Sequence, residues 1–315
     1  MDIDVVQSVL DGIPLCKAVT GIRPLLAGFS TDLKFILSAN DEPVYLLRLS
    51  DKSETERRGV EFQVLRQLHS AGIPCSEPCY HKSVPEYGVC ATLLRYIAGE
   101  CAENVLPEIS ETAQCAVGTE AGEVLRRMHG AVDVPISRKW RNYREAKYRR
   151  MVTAARKMKL RFGGQHVVEQ YVETNLHLLN GRPVAFQHDD YHPGNLIINS
   201  GRLTGVIDFN RIDWGDPWHD FYKMAHFAAP LWPAFACGQV DGYFGGTVPD
   251  DFWPLYTLYV AMSLHSDLVW THKQWPNYVE ASIERIAWIC RTHDFSGGAA
   301  PVWVAAKEPV HTPSA

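Results

Sequence analysis

From residue 34 to residue 96 the chain reads strand, strand, helix, strand, strand, and from there to residue 292 it reads mainly as helix. That order constrains the fold more than any other feature. Alternating or β-rich runs at 34–38 and 44–50 precede a helix over about 54–70. Its Val60, Val64, Leu65 and Leu68 recur at three- and four-residue spacing, and Gly72 and Pro74 stop it. Runs at 78–82 and 88–96 complete the strands, and a short helix over 2–11 comes before them all. The expectation is an α+β fold of two lobes: a small one with an antiparallel sheet over residues 1–95 and a larger helical one over 96–295.

The second part carries an amphipathic helix over 118–132, through Ala121, Val124, Leu125 and Met128, and two more over 141–160 and 167–179. The pattern then breaks into short pieces at 184–186, 196–198 and 203–207, and this break holds the densest polar cluster of the chain. Helices rich in aromatics are expected over 218–227, 252–270 and 278–292. There is no internal repeat, and 296–315 reads as a loose tail.

Composition bounds the function. The chain has 315 residues, 46% hydrophobic and 21% charged, enough for one large core or two lobes sharing a cleft. No apolar run reaches the roughly 18 residues of a membrane helix. The acidic start Met1-Asp2-Ile3-Asp4 is unlike a secretory signal, so a cytoplasmic protein without a membrane partner is expected. The eight cysteines include no CxxC pair and read as reduced thiols. Residues 138–161 hold eleven Lys/Arg and one acid, a net +10, so the rest of a chain of net charge -5 carries -15. A basic helix face alone, without a nucleic-acid module, does not indicate nucleic acid. The acidic remainder suits a cationic ligand.

The polar break runs Phe186-Gln187-His188-Asp189-Asp190-Tyr191-His192-Pro193-Gly194-Asn195-Leu196, and thirteen residues after Asn195 comes Asp208, in Ile207-Asp208-Phe209-Asn210. Phosphoryl transfer needs a carboxylate for the attacking hydroxyl, oxygen ligands for magnesium and a cation on the nucleotide phosphates. An Asp, an amide five residues on and an Asp at the end of the next hairpin can supply the first two. His192 with Asp190 and Asp208 could instead suit a zinc hydrolase, but no second histidine motif supports that.

The segment resembles the catalytic and metal loops of the aminoglycoside phosphotransferase family, small-molecule relatives of the protein kinases. The family's His-Gly-Asp-x-His-Pro-Gly-Asn is matched at every specified position but one, Asp189 standing where Gly is usual. Gly215-Asp216-Pro217-x-x-Asp220 is similar to the stretch after the metal Asp. Upstream, Arg48 sits where the family has a strand cation, Glu61 where it has that cation's helix partner, and Gly28-Phe29-Ser30-Thr31 where a loop covers the phosphates. The stretch 93–100, including Leu94 and Tyr96, resembles the adenine-binding hinge.

The resemblance implies a protein-kinase-like fold binding ATP, with GTP as the alternative, and Mg²⁺. Asp190 would be the catalytic base, Asn195 and Asp208 the metal ligands, and Arg48, Glu61, Ser30, Thr31, Leu94 and Tyr96 the nucleotide site. His188 would hold the loop, and Asp216 and Asp220 would cap and brace the helix that follows. The acceptor would be a small, amine-bearing molecule of antibiotic type, met by Asp213, Asp267, Trp270 and Glu280. Other readings are a metabolic kinase for an amino alcohol, sugar or amino acid, or a non-catalytic nucleotide-binding scaffold. Arg48 and Glu61 could equally be a surface pair, and Trp270, Trp275, Tyr278 and Trp288 either core or a substrate wall.

Overall fold

The computed structural model describes residues 3–26 and 32–305. Ser30 and Thr31 lie outside the described residues. The chain forms two compact units, Met1–Glu100 with Ile197–Asn210 and Cys101–Leu196 with Arg211–Ala315.

In the first unit, helix α1 (Ile3–Asp11) leads to strands β1 (Gly21–Pro24), β2 (Leu33–Ala39) and β3 (Glu42–Asp51), helix α2 (Thr55–Ser70), and strands β4 (Pro78–Val84) and β5 (Val89–Arg95). They make one antiparallel sheet in the order β1-β2-β3-β5-β4. The edge strand β1 escaped the sequence reading because it is four residues long and ends in Pro24, a residue tolerated only at an edge. Side chains alternate across a strand, and β3 uses this to separate two environments. Leu47 and Leu49 join Leu37, Leu93 and Val6, Val9 and Leu10 of α1 in an apolar cluster. Arg48 and Ser50 project the other way and bond Glu61 and Arg58 of α2. A hairpin of β6 (Leu196–Asn199) and β7 (Arg202–Val206) turns through Ser200 and Gly201, both at positive φ. Val206 N–H donates to the Pro74 carbonyl at 2.7 Å and ties it to the connector after α2.

The second unit is helical: α3 (Glu111–Ala131), α4 (Trp140–Lys157), α5 (Gln165–Asn175), α6 (Tyr222–Phe227), α7 (Pro233–Phe244), α8 (Phe252–Gln274), α9 (Val279–Thr292) and a last turn α10 (Val302–Ala305). Ala185–Gln187 and Asp213–Gly215 pair antiparallel. Helix α8 is buried almost all round, with Tyr256, Leu258, Tyr259 and Val260 fully enclosed. α3 starts at Glu111 behind a Ser110 cap, seven residues before the start at 118 that its apolar pattern suggests. α7 was not anticipated: its interior Gly238 and Gly242 argue against a helix. They are there because α3 comes too close for a side chain, since a Cβ on Gly238 would run into the Cys115 carbonyl oxygen and one on Gly242 into that of Thr119. The tail reading needs correction. Trp303 is 1% exposed, with Trp253 and Tyr256 around its ring, because a large apolar side chain there completes the core beside α8.

The outward face of the basic segment is laced by ion pairs, Arg149 to Glu145 and Glu173 and Arg156 to Glu169. All eight cysteines are free thiols. No helix among the described residues is long and apolar enough to cross a membrane.

Candidate active site

The loop over 188–195, in the second unit, is held from beneath by Asp220. Its carboxylate accepts the backbone N–H groups of His188 (2.9 Å) and Asp189 (2.7 Å), and His129 Nε2 lies 3.1 Å from it. Asp220 therefore braces the loop upstream of it, and the capping role falls to Asp216, which accepts from Trp218 N–H at 3.0 Å. His188 is fully buried with its ring edge-on to Tyr191, in keeping with a structural role.

This anchoring presents Asp190. Lys223 Nζ lies 2.5 Å from Asp190 Oδ1, and Asn195 Nδ2 donates to the Asp190 carbonyl at 2.8 Å and approaches Oδ2 at 3.4 Å. Burial alone would raise the Asp190 pKa, but the positive charge of Lys223, helped by His192 and Arg211, outweighs it and holds the carboxyl well below its usual range. His192 is pushed down to about 4, mainly by burial, so it is a neutral ring at pH 7. With its Nδ2 engaged in the loop, Asn195 leaves its oxygen for a ligand. That oxygen and the Asp208 carboxylate are hard donors of the kind magnesium takes.

Asp189, the departure from the family loop, sits at φ 56°, which explains the usual Gly: the left-handed region favours Gly and tolerates Asp. Its carboxylate lies 3.6 Å from Arg211 and 3.3 Å from His219 Nδ1. Asp189, His219 and Asp220 cluster closely enough to suggest a metal site. Asp220 is already bonded by two backbone amides and His129, so the cluster is a brace. Lys223 and Arg211 were missed in the sequence. Their one local signal is position, each three residues after a motif aspartate, Asp220 and Asp208.

In the first unit Arg48 is no surface residue. Arg48 Nη1 meets Glu61 at 2.8 Å with both side chains about nineteen-twentieths buried, and Arg58, also missed, meets the second Glu61 oxygen at 2.8 Å and Asp32 at 2.5 Å. Both guanidiniums reach the Asn210 side-chain oxygen, Arg48 at 3.2 Å, and Asn210 Nδ2 in turn donates to Asp208. Asp208 itself lies at φ 61°. Arg48 and Asp208 are thus joined through Asn210 within one network. In the hinge stretch, Leu94 is buried in β5, and Tyr96 N–H is bonded to the Val44 carbonyl at 3.1 Å.

The four acceptor candidates are not gathered into one group of contacts. Asp213 receives Arg138 at 2.7 Å and Tyr143 Oη at 2.9 Å. Asp267 receives Arg285 and Ser282, each at 2.8 Å. Both carboxylates already have counter-charges or donors. Trp270 and Glu280 are exposed, as are Trp275 and Tyr278, while Trp288 is buried in the core.

A braced HxD loop carrying an ionised aspartate, beside an amide, and a sheet lobe with a buried Arg–Glu pair, define the class of the kinase-like phosphotransferases. The phosphotransferase enzyme family model matches residues 21–253, and the chain belongs to that family. It is a small-molecule kinase acting on a hydroxyl group. Solved structures share the fold. A choline/ethanolamine kinase family protein from Mesorhizobium loti is 21% identical, with TM-score 0.67 over 95% of this chain and 98% of that one. The GDP complex of a mutant aminoglycoside 2'-phosphotransferase-IIIa is 15% identical, with TM-score 0.70 over 95% and 100%. The gentamicin complex of APH(2")-IIa is 16% identical, with TM-score 0.62 over 91% and 96%. No curated protein matches the chain.

Proposed function

We propose that the protein transfers the γ-phosphoryl group of ATP, or of GTP, to a hydroxyl of a small cytoplasmic molecule. The observation that carries this reading is the state of Asp190. Lys223 and Asn195 fix it, and the charge of Lys223, helped by His192 and Arg211, holds it ionised at neutral pH, so it can only accept a hydrogen bond, and it orients the attacking hydroxyl. Asn195 and Asp208 are the proposed magnesium ligands. Magnesium, when bound, would neutralise charge on the phosphate oxygens. Arg48 is held by Glu61 as the phosphate cation, Leu94 and Tyr96 stand for the adenine hinge, and Ser30 and Thr31 for the phosphate-covering loop. An intact Asp190, Asn195 and Asp208 argues against a mere scaffold.

Two acceptor classes follow from the family. An amine-bearing antibiotic, the resistance reading, would use Asp213, Asp267, Trp270 and Glu280. A metabolic acceptor, an amino alcohol, sugar or amino acid, is favoured by the arginines already bonded to Asp213 and Asp267. A panel of hydroxylated amines, sugars and acids, read by ADP release and product mass, tests the reading. No phosphorylated product from any member, in protein that binds nucleotide, would refute it.

A further inference from the structure

The inward face of α4 carries two cations that no carboxylate among the described residues pairs with. Arg144 is 5% exposed and its Nε has no hydrogen-bond partner. The ring of Trp140, 5.6 Å from the guanidinium carbon, is its neighbour. Lys147 lies one turn further along α4, partly buried. Among the described residues neither forms an ion pair. A guanidinium cannot shed its proton, and a buried charge without a partner costs several kcal/mol. The other buried arginines among the described residues, Arg48 and Arg58, each have a carboxylate.

The two cations belong to the surroundings of the catalytic loop. Trp140, on the same helix face as Arg144, meets the His219 ring edge-on at 5.4 Å, packing into space that Gly215 leaves open. His219 in turn lies 3.3 Å from Asp189, the neighbour of Asp190. The charges that depress the His219 pKa, after burial itself, are Arg144, Lys147, Lys223 and Arg211. Four cations thus gather near three carboxylates, Asp189, Asp190 and Asp220. Lys223 pairs with Asp190 and Arg211 with Asp189, while Asp220 is held by backbone N–H groups and His129, so Arg144 and Lys147 are left without an ion pair among the described residues. The local sign is opposite to that of the whole chain, which is -5.

We propose that Arg144 and Lys147 form an oxyanion-binding subsite for the acceptor, so that the phosphorylated molecule carries a carboxylate or phosphate group besides its hydroxyl. This rests on the kinase reading above. A planar Arg fork with a Lys point charge beside it suits either oxyanion.

The test uses the full chain saturated with Mg²⁺ and AMP-PNP, so that nucleotide phosphate sites are filled. Inorganic phosphate and glycerate are then titrated by calorimetry, with glycerol and ethanolamine as uncharged and cationic counterparts. Phosphate or glycerate should bind, and glycerol and ethanolamine should bind more weakly. Arg144→Met and Lys147→Met should each weaken the oxyanion roughly tenfold or more, the worth of a charged hydrogen bond. Arg150→Met, on the exposed side of the same helix, should leave it unchanged. Lys147→Met keeps the test open should Arg144→Met fail to fold. Oxyanion binding that is absent, or unchanged in both variants, overturns the subsite while nucleotide binding leaves the kinase reading standing. Phosphate that binds only without AMP-PNP assigns the cations to the nucleotide and overturns the acceptor subsite. Failure to bind AMP-PNP overturns the kinase reading and the subsite with it.

Discussion

The two units each bury a knot of charge, and the knots differ in closure. In the first, Arg48, Arg58, Glu61, Asp32 and Asn210 bond one another, two cations against two carboxylates and an amide. In the second, Arg144, Lys147, Arg211 and Lys223 lie about His219 and outnumber Asp189, Asp190 and Asp220 by one. A closed knot has its charges balanced internally, so its work is to hold Arg48 in place for the phosphates. An open knot keeps charge in reserve, at a cost in stability that a ligand can offset.

The largest effect is expected at the centre of the open knot. Asp190→Asn keeps the size of the side chain and removes its charge. Turnover should fall on the order of 10²–10⁴-fold, the usual worth of a positioned base, while calorimetry with Mg²⁺ and AMP-PNP shows nucleotide affinity retained. Asp208→Asn should instead weaken metal-dependent nucleotide binding. The reverse pattern would exchange the roles of the two aspartates.

Closure predicts a different outcome in the first unit. Glu61→Ala leaves Arg48 and Arg58 facing each other with one carboxylate removed, and should cost about 3–5 kcal/mol of stability, read as a lower denaturant midpoint. Because Arg48 and Glu61 act as one unit, Arg48→Met combined with Glu61→Ala should cost less than the sum, with a coupling of about 0.5–3 kcal/mol. Additive losses would mean that the knot is a set of independent pairs.

The sequence showed the knots unequally, for a physical reason. Asp190, Asn195 and Asp208 were legible because one loop and the hairpin after it hold them in fixed short spacings. Arg58, Lys223 and Arg144 were not, since what gives each its meaning lies far along the chain: Asn210 for Arg58, Asp190 for Lys223 and His219 for Arg144. Overall charge carried no information on the sign near Asp190. The same holds for the fold. The long strands of the sheet and the apolar helices were legible from periodicity, whereas α7 was hidden by glycines whose reason is the backbone of α3. Trp303 was hidden in a stretch too poor in pattern to suggest a core.

Closure also predicts that trimming the open knot stabilises. Arg144 has no carboxylate to lose, so Arg144→Met removes an uncompensated buried charge and keeps most of the packing volume. The variant should be as stable as the parent or more stable by about 1 kcal/mol, in contrast to Glu61→Ala. A drop as large as that of Glu61→Ala, with no ligand present, would show that Arg144 is held by the protein after all and that the second knot is closed.

The smallest effect lies in the alkaline range and tests Lys147. Burial lowers its pKa from 10.5, Asp189 opposes that shift, Arg144 and Arg211 reinforce it, and Asp213 opposes it. The folded chain therefore gives up this proton at a lower pH than the unfolded chain. Between the lowered pKa and 10.5 the unfolded state binds more protons, so the contribution of Lys147 to stability rises with pH in that window. Below the window the buried charge is a constant penalty. Lys147→Met should remove this upward slope, flattening the difference between midpoints measured at neutral and at alkaline pH. Oxyanion binding should move oppositely, falling over the same window as the lysine loses its charge, and should lose that pH dependence in the variant. A lysine turned to an internal carboxylate would show neither trend: pairing would raise its pKa, and stability would decline, not rise, as the pH passed 10.5.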